Sequence, residues 1–105
     1  MMMTRDLALR AVACPRWRWM PGMLSLTRWR VTEDDEPFAG GLPDLDDPAT
    51  LGCLLALVRI AYGDPSFVVR CVAGLWYEES NMRALVARGS DTEAEALVAA
   101  LEAAP

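Results

Sequence analysis

The 105-residue sequence contains no histidine and no lysine; all ten of its basic residues are arginine. Histidine is the side chain whose ordinary pKa lies closest to physiological pH. Its absence excludes Ser-His-Asp and Cys-His nucleophile systems and any zinc site with an imidazole ligand. Cysteine is sparse: Cys14, Cys53 and Cys71. No two form a C-x-x-C pair, three cannot complete a four-cysteine zinc site, and an odd count does not fit a disulfide framework. The expectation is therefore small buried hydrophobes in a reducing compartment, with Cys14 the candidate if any thiol is reactive. Long apolar runs are also missing. The longest, Leu51 to Tyr62, is interrupted by Arg59 and falls well short of the roughly 20 residues a membrane helix needs. Ala11-Val12-Ala13-Cys14 has the look of a lipoprotein cleavage site, but Asp6 and Arg10 break the apolar stretch such a signal requires. A cytoplasmic protein is expected. There is no internal repeat and no Gly-rich phosphate loop, since Gly40-Gly41 leads into Leu42-Pro43 rather than a helix with Lys-Ser or Lys-Thr. No cofactor and no metal are implied.

The composition present is that of one globular unit, with 53% hydrophobic and 24% charged residues. A chain this long can bury roughly 60–70% of its unfolded surface without staples. Residues 1–105 therefore read as a single α+β domain, with 33–47 as an acidic connector loop. Charge is segregated. Residues 1–32 carry six Arg and one Asp, residues 33–48 carry seven acids and no base, and the remainder carries four Arg and seven acids, giving the net −5. Any polyanion would meet the basic first third.

Thr4 is positioned to cap a helix over Arg5–Ala13, whose Leu7, Ala8, Ala11 and Val12 share a face; Pro15 ends it. Alternation on both sides of Pro21-Gly22 predicts a hairpin in which Trp19 faces Leu24 and Trp17 faces Leu26, with Trp29 and Val31 on the opposite face. Asp47 is the expected N-cap of a helix from Pro48 to Tyr62 that Gly63 stops. That helix is apolar nearly all round, so it is expected either to form the spine of the fold or to pair with another subunit. Phe67–Val72 and Leu75–Tyr77 read as strands, Met82–Arg88 as a strand or short helix. Thr92-Glu93-Ala94-Glu95 is a capping box that opens a last helix running to about Ala104. The resulting order is αββαββα: an antiparallel sheet covered by the central apolar helix and the C-terminal helix.

The densest motif is Arg16, Trp17, Arg18, Trp19, Arg28, Trp29 and Arg30. Arg binds phosphate and carboxylate through a planar fork, and indole stacks on bases; the same pair dominates protein-interface hot spots. Against this stands the reading that the Trp residues anchor the core while the Arg residues line the solvated face. Glu33, Asp34, Asp35 and Glu36 form a candidate acidic surface that could mimic nucleic-acid phosphates; a solvated loop is the simpler account. Glu78-Glu79 are adjacent on a strand and so point to opposite faces, which does not suit paired-carboxylate catalysis. The reading is non-enzymatic.

Pro43–Arg59 and Thr92–Glu102, with Leu7–Ala13 and Trp17–Met23, resemble segments of small uncharacterised phage and prophage proteins. The resemblance implies a context: a viral binding protein that occupies a host protein or protein–nucleic-acid complex in the host cytoplasm, including an inhibitor of a host defence system in the manner of an anti-CRISPR protein. The alternatives are a nucleic-acid-binding module using the Arg/Trp hairpin, and a structural or self-assembling protein that dimerises through the central helix.

Overall fold

The computed structural model describes residues 4–33, 41–79 and 89–104. Helix α1 (Thr4–Ala13) is followed by an irregular stretch, helix α2 (Pro48–Tyr62), strands β1 (Val68–Val72) and β2 (Leu75–Glu79), and helix α3 (Glu93–Glu102). The α+β class is thus as expected, and the Cα radius of gyration of 13.3 Å matches the roughly 13 Å of one compact domain of about 100 residues.

Both ends of α2 fall where the local chemistry puts them. Asp47 is extended, and its carboxylate accepts from Thr50 N at 3.0 Å. Gly63, at φ 63°, closes the other end, its N–H reaching Arg59 O and Ile60 O. The apolar girdle does not make α2 the spine, however. That place belongs to α3, which packs against α1, α2 and both strands. Its Ala94, Ala96, Leu97, Val98, Ala100 and Leu101 are all buried; small residues on several sides let neighbours approach closely. α2 buries Thr50, Leu54, Leu57 and Val58 and leaves Ile60 exposed. α2 and α3 run in the same sense. Leu51 and Ala94 in their first turns line one cavity, and near their C-termini the Tyr62 hydroxyl donates to Ala100 O at 2.7 Å. Tyr62 also stacks on Phe67, the largest fully buried side chain among the described residues, at 5.5 Å and 6°.

β1 and β2 pair antiparallel, Val68 opposite Glu79 and Val72 opposite Leu75. Between them, Ala73 at φ 52° and Gly74 at φ 82° form the mirror-image turn that suits a two-residue hairpin. Trp76 exchanges two backbone hydrogen bonds with Ser90 along the other edge of β2. The element expected over Met82–Arg88 lies outside the described residues.

The first hairpin departs most from expectation. Pro21-Gly22 does turn the chain, with Met23 N bonded to Met20 O and Gly22 at φ 101°. Yet Trp17 and Trp19 do not pair with Leu26 and Leu24. Leu24 lies opposite Arg30, and Ser25 opposite Pro43. A second reversal at Ser25–Arg28, closed by Arg28 N to Ser25 O at 3.0 Å, folds 29–31 back on 23–25 before a longer strand can form. On the other side Leu26 N reaches Leu42 O and Asp44 N reaches Leu24 O. The αββ opening is therefore one helix and three short extended segments joined by single bridges.

Candidate binding surface

The seven Arg/Trp residues divide into two groups of opposite character. In the first, Trp17 and Trp19 are half-buried and pack on the core with Met20. Their rings meet edge to face at 5.6 Å and 82°, a favoured aromatic geometry. Arg16 and Arg18 are exposed beside them.

In the second group the arrangement inverts. Trp29 is 54% exposed, while Arg28 and Arg30 are tied to acids of the connector. Arg28 Nη1 lies 2.8 Å from Asp44 Oδ2. Arg30 grips Asp47 with both terminal nitrogens, at 2.8 and 3.3 Å, and also donates to Gly22 O. Arg28 occupies the left-handed region at φ 71°, which costs a non-glycine residue roughly 1–2 kcal/mol. Local bonds hold it there: Ser25 Oγ accepts from Trp29 N at 3.0 Å and meets Thr27 Oγ1 at 2.8 Å. This reversal separates Trp29 from Val31, which were expected to share a face. Val31 is buried in the core, and Trp29 next to the loop is not.

The loop is fastened to α2 through Thr50, whose hydroxyl accepts from Leu24 N at 2.9 Å and donates to Asp47 Oδ2 at 2.9 Å. Asp47 therefore serves three partners at once: the α2 cap, the Thr50 hydroxyl and Arg30. The Arg30 guanidinium, seconded by the two Thr50 bonds, holds the Asp47 carboxyl down at about 2, against an ordinary 3.8. The pairing of basic segment with acidic connector was foreshadowed by segregated charge, but these two ion pairs span 16 and 17 residues and carry no local signal.

Glu33 is exposed, and Asp34, Asp35 and Glu36 lie outside the described residues. Asp47, the expected cap of α2, and Asp44, within the expected connector loop, are both held by ion pairs. Asp44 is nearly buried and also accepts from Asp46 N. The cysteines follow the expectation of buried hydrophobes in part, with Cys53 half-buried. Cys14 is buried, its thiol donates to Arg10 O at 3.4 Å, and burial pushes its pKa up, which disfavours the thiolate. Cys71 is exposed, because the end of the β1–β2 hairpin reaches past the core.

Among the described residues no three His, Cys, Asp or Glu side chains are arranged to hold a metal ion, and no helix is long and apolar enough to cross a membrane. The chain matches no protein-family model, no curated protein and no solved structure.

Proposed function

We propose that this is a non-enzymatic binding protein that engages a macromolecular partner through the Ser25–Val31 hairpin, with Trp29 as the anchor. One observation carries the reading. A large aromatic side chain stands more than half exposed between two arginines that are already fixed in place by Asp44 and Asp47. Trp and Arg are the residues that dominate interface hot spots. A loop whose conformation is set before binding loses little entropy on docking.

The same ion pairs favour a protein over a nucleic acid as partner. Phosphate binding draws on unneutralised cationic charge, and both arginines flanking Trp29 are partnered by carboxylates in a chain of net charge −5. The resemblance to small phage and prophage proteins supplies the proposed context: a host target, with a defence system such as CRISPR the specific case.

The test is affinity capture from host lysate with wild type and Trp29→Ala in parallel. A protein retained by the wild type and lost with the variant, with both proteins equally stable, is the expected result. Identical sets of captured proteins would contradict the reading. Salt-dependent shifts of single- or double-stranded oligonucleotides, lost on Arg16→Ala or Arg30→Ala, would replace it with the nucleic-acid alternative.

A further inference from the structure

The first turns of all three helices converge on a cavity of about 210 Å³. Leu7 of α1, Leu51 of α2 and Ala94 of α3 line it with Leu45, Asp46, Thr92 and Glu93. Its lining is thus mainly aliphatic, with the acidic residues Asp46 and Glu93 at its edge. At about 30 Å³ per water the space corresponds to roughly seven non-hydrogen atoms.

The electrostatic sign has to be settled by magnitudes, because helix N-termini attract anions. Three helix ends contribute about +0.5 each, about +1.5 in all. Arg5 and Asp6 in the first turn of α1 offset one another, while Asp46, Glu93 and Glu95 bring three full negative charges to the same end. The acids win. Nor are Asp46 and Glu93 consumed as caps, since Asp47 caps α2 and Thr92 caps α3. In the turn 44–47, Asp44 and Asp47 are matched by Arg28 and Arg30, whereas among the described residues neither Asp46 nor Glu93 is ion-paired. A divalent metal wants six or more oxygen ligands, which two carboxylates in an aliphatic hollow do not supply.

We infer that this cavity is a binding site for a small organic cation, an ammonium or guanidinium group on a short aliphatic chain, whose chain lies against Leu7, Leu45, Leu51 and Ala94 and whose charge meets Asp46 and Glu93. The site is independent of the Trp29 surface and stands or falls without it.

The experiment is an amide-resolved NMR titration of the full chain with n-butylguanidinium. The expected result is saturable shifts confined to Leu7, residues 45–51 and residues 92–94, with a Kd on the order of 1 mM, the range for a ligand this small. n-Butanol and butyrate, matched in length but neutral and anionic, should give no saturable shift. Asp46→Asn combined with Glu93→Gln should weaken binding at least tenfold. Equal binding of butanol by the wild type would overturn the proposal, and that arm needs no variant to fold. Unchanged affinity in a folded double variant would also overturn it. A blocked Gly-Arg-Gly peptide distinguishes the source of the cation. Binding as tight as that of butylguanidinium assigns the site to a partner's arginine side chain, and failure to bind while butylguanidinium binds assigns it to a free cation.

Discussion

Residues 16–19 and 28–30 are written in the same two letters, Arg and Trp, and the fold uses them in opposite ways. In the first segment the indoles of Trp17 and Trp19 turn inward and pack on one another and on the core, while Arg16 and Arg18 face outward. In the second the arginines are restrained by Asp44 and Asp47, and the indole of Trp29 is left in solvent. The difference lies in where each segment's partners come from. Residues 16–19 follow α1 directly and lie over a core that α1 has begun. Residues 28–30 sit beyond two successive reversals and meet residues 22–25 and the connector. Alternating Trp and Arg therefore has no fixed meaning; the acids nearby decide which of the two is held.

The sharpest way to break this comparison is to truncate one indole from each segment. Trp17→Ala should cost about 2–3 kcal/mol, below the roughly 3–5 kcal/mol of a fully buried large aromatic because the ring is half-buried. Trp29→Ala should change stability by no more than about 0.5 kcal/mol, as for surface positions. Urea denaturation reads both, and equal losses would erase the distinction.

Next in size is the fastening of the second segment to α2. Thr50→Val keeps the shape of a fully buried side chain but leaves Leu24 N without its acceptor. A buried donor deprived of its partner costs about 1–3 kcal/mol, so denaturation should show a loss in that range.

Asp47 sharpens the same point through pH. Its folded carboxyl lies near 2 and its ordinary value is 3.8. A carboxyl depressed on folding contributes stability that is fully present above the ordinary value and lost as pH falls through the folded one. Stability should therefore decline between about pH 4 and pH 2. Asp47→Asn should flatten that part of the curve; asparagine still caps the helix, so the loss at neutral pH comes from the Arg30 ion pair and should not exceed about 1 kcal/mol.

The smallest effect concerns the other reversal that holds a non-glycine residue at positive φ. Ala73 in the β1–β2 turn sits at φ 52° before Gly74, where Asn-Gly is the preferred pair. Ala73→Asn should raise the melting temperature by a few degrees, about 0.5 kcal/mol in stability.

The parts of this molecule that were legible in the sequence are those specified within four residues of one another. The Asp47-Pro48 start and Gly63 stop of α2, the Thr92 cap of α3, and the two strands after Phe67 all fall where their own residues place them. The reversal at Ser25–Arg28 was not legible, because Leu26-Thr27-Arg28 contains no Gly, Asn or Asp. An arginine takes the left-handed conformation there, and its side chain is tied to Asp44, 16 residues away. Nor was the central position of α3 legible. Hydrophobicity pointed to α2, whereas close packing on several neighbours favours the Ala-rich helix, which lets backbones approach. For the candidate binding surface, the sequence singled out seven residues but could not divide them. That division depends on the ion pairs with Asp44 and Asp47, contacts made only once the connector has folded back.

The most direct measurement of the central claim is hydrogen exchange at the indole N–H groups, resolved by NMR. Trp17 Nε1 is shielded from solvent, whereas the Trp29 side chain is more than half exposed. The account predicts that the Trp29 indole proton exchanges fast, like that of free tryptophan, and that the Trp17 indole proton is strongly protected. A protected Trp29, or a Trp17 that exchanges as fast, would contradict it.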